Sequence, residues 1–137
     1  MSAEARFREV ESLLDQKLSE VRGNLISSGV AMYDLSARTY HYKNQFLSWS
    51  WKLVRETIAD GETERFSVFL TYMEPLPDRD GLDVLVRSEV FHQGQISRID
   101  CKLEYRLPVS QVEKDGVETI IAEAFERGRS QLLARVD

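Results

Sequence analysis

Four segments of the chain alternate apolar and polar residues with the period of two that is typical of half-buried β-strands. In the first pair, Trp49 and Trp51 share one parity, and Leu70 and Tyr72 share the facing parity beyond Asp60-Gly61. A two-residue Asp-Gly turn places Trp51 opposite Leu70 and Trp49 opposite Tyr72. Turn chemistry and side-chain period therefore predict the same antiparallel hairpin, spanning about 46 to 58 and 63 to 74.

The second pair of segments runs from Leu82 to about Gln93 and from Gln95 to Leu107, and two registers are open for it. A Gly94-Gln95 turn pairs Val86 with Leu103, whereas a longer loop places Val86 opposite Cys101. Both registers keep the same residues on the inner side. That predicted side comprises Trp49, Trp51, Leu53, Val68, Leu70, Tyr72, Val84, Val86, Val90, Ile99, Cys101, Leu103 and Tyr105.

Segments near both ends of the chain follow the helical period instead. Residues 3 to about 27 carry apolar residues at spacings of three and four, which predicts an amphipathic helix that ends at Gly29, or earlier at Gly23. A second helix follows Pro108, and it begins either at Ser110 with a capping box or at Asp115-Gly116. Both helices are expected to cover the inner side of the sheet.

These elements predict an α+β fold in one domain spanning residues 1–137, with an antiparallel meander of at least four strands and the two helices on one side. Residues 30–44 are hard to interpret, and two short strands turning at Ser36-Ala37 are the best prediction. Residues 74–81 contain prolines that cannot donate ladder hydrogen bonds, so we expect an exposed loop there.

The second side of the predicted sheet is not uniformly polar. If the central strands are adjacent, their apolar residues form a patch that the helices cannot reach. Either residues 30–44 fold over it with their tyrosines, Tyr33, Tyr40 and Tyr42, or it is an interface, because large exposed apolar patches mark interaction surfaces. The patch residues are Phe69, Met73, Leu85 and Phe91, with Val54 nearby.

Composition is that of an ordinary globular protein: 137 residues, 42% hydrophobic and 30% charged, with a net charge of −5. The mixed, net acidic charge disfavours nucleic acid, which selects basic surfaces. The start of the chain resembles neither a secretory signal nor a transit peptide, and no stretch is apolar enough for a bilayer. We therefore expect a cytoplasmic protein with no membrane partner, and a single Cys101 fits a reducing compartment.

Candidate chemistry is sparse. The sequence has no Gly-rich phosphate loop, no G-x-S-x-G, no H-E-x-x-H and no Cys-x-x-Cys. His41 and His92 lack a partner at fixed spacing, and Cys101 has inward parity. The acids Asp78, Asp80 and Asp83 lack EF-hand spacing. We therefore expect no catalytic, cofactor-binding or metal-binding residues.

Two functions follow from these patterns. The leading hypothesis is a small non-enzymatic protein that binds another protein or itself through the second side of the sheet and the loop of residues 74–81. An adaptor, an immunity-type inhibitor and a client-specific chaperone all fit this hypothesis. The alternative is a small-molecule binding protein or enzyme with an aromatic pocket between sheet and helices. That pocket would be lined by Trp49, Trp51, Tyr72 and Tyr105.

Overall fold

A computed structural model describes residues 3–34, 37–41, 44–73 and 81–134 and confirms the predicted α+β class. All strand pairs are antiparallel, and the sheet order is β1-β3-β4-β5-β6, with β2 also pairing with β3. The elements are α1 (Ala3–Ser27), β1 (Val30–Asp34), β2 (Ala37–His41), β3 (Asn44–Ala59), β4 (Glu62–Met73), β5 (Gly81–His92), β6 (Gln95–Pro108), α2 (Val109–Asp115) and α3 (Val117–Ala134).

The β3–β4 hairpin has the predicted register. Trp51 pairs with Leu70 and Trp49 with Tyr72. The turn residues Asp60 and Gly61 have φ angles of 52° and 78°, which is the left-handed pair that a type I′ turn requires. Such a turn matches the twist of the strands and fixes their register. With the register fixed, the side that carries the apolar residues faces the helices.

The β5–β6 hairpin has the first predicted register near its base, where Val86 pairs with Leu103, but its turn lies one residue earlier than predicted. The turn residues are Gln93 and Gly94, with φ angles of 53° and 81°. Two β-bulges on β6 reconcile the two facts, because Asp100 and Ser97 each add one residue that has no partner on β5.

Residues 30–41 do not form the predicted separate hairpin. β1 pairs with β3 from Val30↔Arg55 to Asp34↔Trp51, and β2 continues the same register from Ala37↔Ser48 to His41↔Asn44. Since Ser-Ala is a poor turn and β3 is 16 residues long, the two short strands instead line one edge of β3. Their backbones lie in the plane of the sheet and do not fold over the second side, but Tyr33, which pairs with Lys52, lines a groove beside Val54 on that side. The side chain of Tyr40 and the whole of Tyr42 lie outside the described residues.

The helix ends follow local chemistry. α1 ends at Ser27, and the amide of Gly29 donates to the carbonyl of Ile26, so the predicted stop at Gly29 is confirmed. The predicted Ser110 cap is wrong, because α2 begins at Val109 with Pro108 in the capping position. Gly116 separates α2 from α3: its amide donates to Val112 and its carbonyl accepts from Ile120.

One continuous core lies between the helices and the inner side of the sheet. α1 contributes Phe7, Leu14 and Leu18, and α3 contributes Ile120 and Phe125, all almost fully buried. Most of the predicted inner side is buried against them. Trp51, Leu103 and Tyr105 are half-buried at its margin, and Ile99 is exposed because the bulge at Asp100 turns it to the other side.

Candidate functional site

The side of the sheet opposite the helices, called the open face below, is formed by alternate residues of β3 to β6. On β5 the alternation is clear: Leu82, Val84 and Val86 are buried toward the helices, and the residues between them are partly exposed. The described helices all pack on the other side. The open face therefore presents apolar side chains that none of the described helices covers.

The centre of the open face is an apolar pair. Phe69 on β4 and Leu85 on β5 are direct cross-strand partners, and Val54 on β3 is buried beside them. The ammonium nitrogen of Lys52 lies 5.6 Å from the Phe69 ring centroid. A shallow groove of about 580 Å³ runs past Phe69, Leu85 and Arg106, and a smaller one of about 250 Å³ lies beside Val54.

Ion pairs hold the long side chains around this centre. Arg65 donates to Oε1 of Glu56 from Nε and Nη2, at 2.7 Å and 2.6 Å, and its guanidinium carbon lies 4.3 Å from the Phe91 ring centroid. On the other flank, Nε of Arg106 lies 2.9 Å from Oδ1 of Asp83. Exposed pairs of this kind add little stability, but they fix the positions of charges on the surface.

A second apolar group lies where the two hairpins turn, and it was not predicted. Ile58, Phe91 and Ile96 lie in one row across the strands, with Thr63 between the first two, and Ile99 is in the next row. Ile58 is 77% exposed, Ile96 58% and Ile99 51%. The bulges at Asp100 and Ser97 bring both β6 isoleucines to the open face, and the Ser97 hydroxyl donates to the Val90 carbonyl at 2.9 Å.

The predicted interface residues all lie on the open face but do not form one patch. Phe69, Leu85 and Val54 are neighbours at its centre. Met73 and Phe91 lie toward opposite ends, and the Arg65–Glu56 ion pair lies between Phe91 and the centre. The role of these residues as an interface stays a prediction.

The predicted aromatic pocket residues lie toward the helices. Trp49 and Tyr72 are completely enclosed in the core, and Trp51 and Tyr105 are half-buried. The ring centroids of Trp49 and Trp51 are 6.0 Å apart, and so are those of Phe7 and Tyr72. A ligand in contact with Trp49 or Tyr72 would have to displace these packed rings, so the pocket stays a prediction.

One carboxylate on α1 ties both tryptophans to the helix. Oδ1 of Asp15 accepts from the indole nitrogen of Trp49 at 3.0 Å and from that of Trp51 at 3.2 Å. Buried indole N–H groups are usually hydrogen-bonded, because an unpaired one is costly. This shared acceptor fixes the position of α1 along the sheet.

We expect Asp15→Ala to lower the free energy of unfolding by about 1 to 3 kcal/mol, since it leaves the Trp49 N–H buried without an acceptor. Asp15→Asn is the matched control: it keeps an oxygen acceptor and removes the charge, so its loss should be smaller. Urea denaturation measures both. Equal losses would contradict the acceptor role and assign the effect to the charge.

Tyr105 lies at the core margin, where its phenol is partly buried. Burial raises the pKa of its phenol above the ordinary value of 10.0, whereas the Arg127 guanidinium lowers it and Glu123 raises it. The guanidinium carbon of Arg127 lies 4.4 Å from the Tyr105 ring centroid. The folded state therefore holds the phenolic proton more tightly than the unfolded state does.

A raised tyrosine pKa contributes stability that is fully present below the unfolded pKa of about 10 and is lost as pH rises through the higher folded pKa. We therefore expect the stability of Tyr105→Phe to fall less steeply with alkaline pH than that of the wild type. Urea denaturation at a series of pH values from neutral to alkaline measures the two slopes. Identical slopes would contradict this assignment.

Of the residues considered for catalysis or metal binding, the described ones, His92, Cys101 and Asp83, lie on different parts of the sheet. His92 is exposed at the end of β5, and the side chain of His41 lies outside the described residues, as do Asp78 and Asp80. Cys101 is buried, with its sulfur 3.8 Å from Oε1 of Gln131. Across the described ranges, no group of three or more metal-ligating side chains converges.

Comparison with known proteins gave no relative: no family model matches the chain, and neither a curated protein nor a solved structure matches it. Within the described helices, none has the length and apolar character needed to cross a membrane. Function is therefore argued from the open face itself.

Proposed function

We propose that the protein is a small non-enzymatic binding protein of the cytoplasm, which acts by protein–protein interaction through the open face. An adaptor, an immunity-type inhibitor or a client-specific chaperone would use such a surface. The observation that carries the proposal is the row Ile58–Thr63–Phe91–Ile96, whose isoleucines are more than half exposed.

The composition of the open face also supports binding of protein. Interfaces combine apolar and aromatic anchors with polar groups that set orientation. Phe69 and Phe91 are such anchors, and each has a cationic side chain, Lys52 and Arg65 respectively, against its ring. Two grooves beside Phe69 and Val54 offer concave places for side chains of a partner.

The test is affinity capture from the native lysate with the wild type and with a Phe69→Asp, Phe91→Asp double variant as baits. Both phenylalanines lie on the open face, so the double variant should stay folded by circular dichroism while it loses the partner. Ile26→Asp is the matched control, because Ile26 is 54% exposed on α1, away from the open face. It should retain what the wild type retains.

A protein held by the wild type and the Ile26→Asp control, but lost by the double variant, would support the proposal. If all three baits retain the same proteins, the open face is not the binding surface, and the aromatic pocket becomes the better hypothesis. A thermal-shift screen against metabolites then tests that pocket, since a ligand at about 100 times its dissociation constant adds roughly 2.7 kcal/mol of stability.

A further inference from the structure

We propose that a second copy of this chain packs on the open face, related to the first by a two-fold axis that runs parallel to the strands between β4 and β5. The inference rests on the proposed function and names its partner. Its basis is the order of charges and apolar side chains across the strands, which is complementary to itself when it is read in reverse.

The central row shows the complementarity most clearly. Across β3, β4, β5 and β6 it reads Lys52, Phe69, Leu85, Glu104, which is a cation, two apolar side chains and an anion. A two-fold axis between β4 and β5 reverses this order in the second copy. Lys52 then faces Glu104 of the second copy, and Phe69 faces Leu85 of the second copy.

The rows toward the hairpin turns add further complementary contacts, and Glu56 opposite Ile99 is the exception. In the row Glu56–Arg65–Glu89–Ile99, reversal places Arg65 opposite Glu89 of the second copy. Glu89 has no ion pair with a described residue of its own chain, whereas Arg65 is already paired with Glu56, so in the dimer Arg65 would be shared between two carboxylates. In the outermost row, reversal places Ile58 opposite Ile96 of the second copy, so two strongly exposed side chains cover each other.

Two further rows complete the pattern. In the row Val54–Ser67–Arg87–Lys102, Arg87 falls opposite Ser67, whose buried hydroxyl has no hydrogen-bond partner within the described part of the chain. In the row Ser50–Thr71–Asp83–Arg106, Thr71 falls opposite Asp83, a hydroxyl donor facing a carboxylate. None of the five rows places like charges opposite each other.

An axis perpendicular to the strands and centred on the Phe69 row fails this test. It would reverse each strand and leave the strand order unchanged, so the row on the axis would face itself. Centred on the Phe69 row, it would place Lys52 opposite Lys52 and Glu104 opposite Glu104. Like-charge contacts of this kind oppose association. The axis parallel to the strands avoids such contacts in all five rows, and it also places Lys52 opposite Glu104 and Phe69 opposite Leu85.

The area and packing geometry also suit a dimer. The four strands and five rows cover roughly 20 Å by 30 Å, or on the order of 600 Å², close to the 800 Å² per partner of a standard interface. Packed sheets keep their strand directions within about 30° of each other. Residues of β4 and β5, which lie next to the axis, therefore stay opposed at that angle.

Charge reversal tests the arrangement by sedimentation equilibrium. We expect the wild type to be a dimer at micromolar concentration. Lys52→Glu and Glu104→Lys should each weaken self-association by about tenfold or more, because each places like charges together twice in the dimer. An equimolar mixture of the two variants should regain the dimer, since each heterodimer contact again joins a cation and an anion.

Matched controls reverse the same charges away from the open face. Lys114→Glu on α2 and Glu126→Lys on α3 change exposed residues on the helical side and should leave the dimer unchanged. Leu85→Asp is a second disruptive variant. It places a carboxylate opposite Phe69 of the second copy, so it should abolish the dimer although Lys52 and Glu104 are unchanged. Thermal melting of each variant confirms that it is folded.

A monomeric wild type would overturn the inference, and so would a dimer that neither reversal weakens or a mixture that stays monomeric. The capture experiment separates these failures from failure of the proposed function. If the wild type is monomeric but captures a different protein that the Phe69→Asp, Phe91→Asp variant loses, the open face binds another partner and only the dimer is wrong. If nothing depends on the open face, both are wrong.

Discussion

Trp49→Ala is expected to lower the free energy of unfolding by about 3 to 5 kcal/mol, the usual cost of removing a large buried aromatic side chain. The Trp49 side chain has 0% exposure, lies against the Trp51 ring and donates to Asp15. Alanine would leave a cavity and would remove one of the two indole donors to Asp15. Urea denaturation measures the loss, provided that the slope of the unfolding free energy against urea concentration is the same as for the wild type.

Trp51→Ala is the control on the same strand. Trp51 is half-buried at the margin of the core, so its truncation should cost clearly less than that of Trp49. Equal costs at the two positions would contradict the packing described for Trp49. A folded Trp49→Ala variant of nearly wild-type stability would favour the alternative in which these rings line an aromatic pocket.

Much of the fold was predictable because local signals agreed with one another. Asp60-Gly61 requires a two-residue turn, and the alternation on both sides of it places Trp49 and Tyr72 on the same side. A shift of one residue would have turned every apolar side chain outward. The turn and the hydrophobic period therefore admitted a single register for β3 and β4.

The β5–β6 hairpin shows where this reasoning fails. Its turn is Gln93-Gly94, which by itself implies a register two residues away from that at its base. Two bulges absorb the difference, and a bulge leaves no regular trace in a period-two pattern. The sequence therefore predicted an inward Ile99, whereas the structure places it on the open face.

The sequence predicted that the second side of the sheet carries apolar residues, but not how those residues are arranged across the strands. Parity alone assigned Phe69 and Leu85 to one side of the sheet, and their pairing follows from adjacent central strands. The row order across four strands depends on three registers at once, including the bulged one. The self-complementary row Lys52–Phe69–Leu85–Glu104 could be recognised only when all three registers were known.

Gly128→Leu is expected to destabilise the protein by about 3 kcal/mol or more, because this glycine of α3 lies directly against Val86 of β5. A Cβ atom there would lie 2.6 Å from Cγ1 of Val86, a branched side chain packed in the core. Inserting extra methylenes into a well-packed core typically costs about 1 to 3 kcal/mol and occasionally more, which outweighs the roughly 1 kcal/mol gained in helix propensity. Thermal or urea denaturation measures the net effect.

Gly23→Leu is the matched control, since Gly23 lies in α1 with no atom within 4 Å of a Cβ placed there. It should stabilise the protein by up to about 1 kcal/mol through helix propensity alone. The same chemical change thus has opposite signs on the two helices. The cost of Gly128→Leu should also shrink in a Val86→Ala background, because that change removes the atom in contact; an undiminished cost would show that the close approach to Val86 is not its cause.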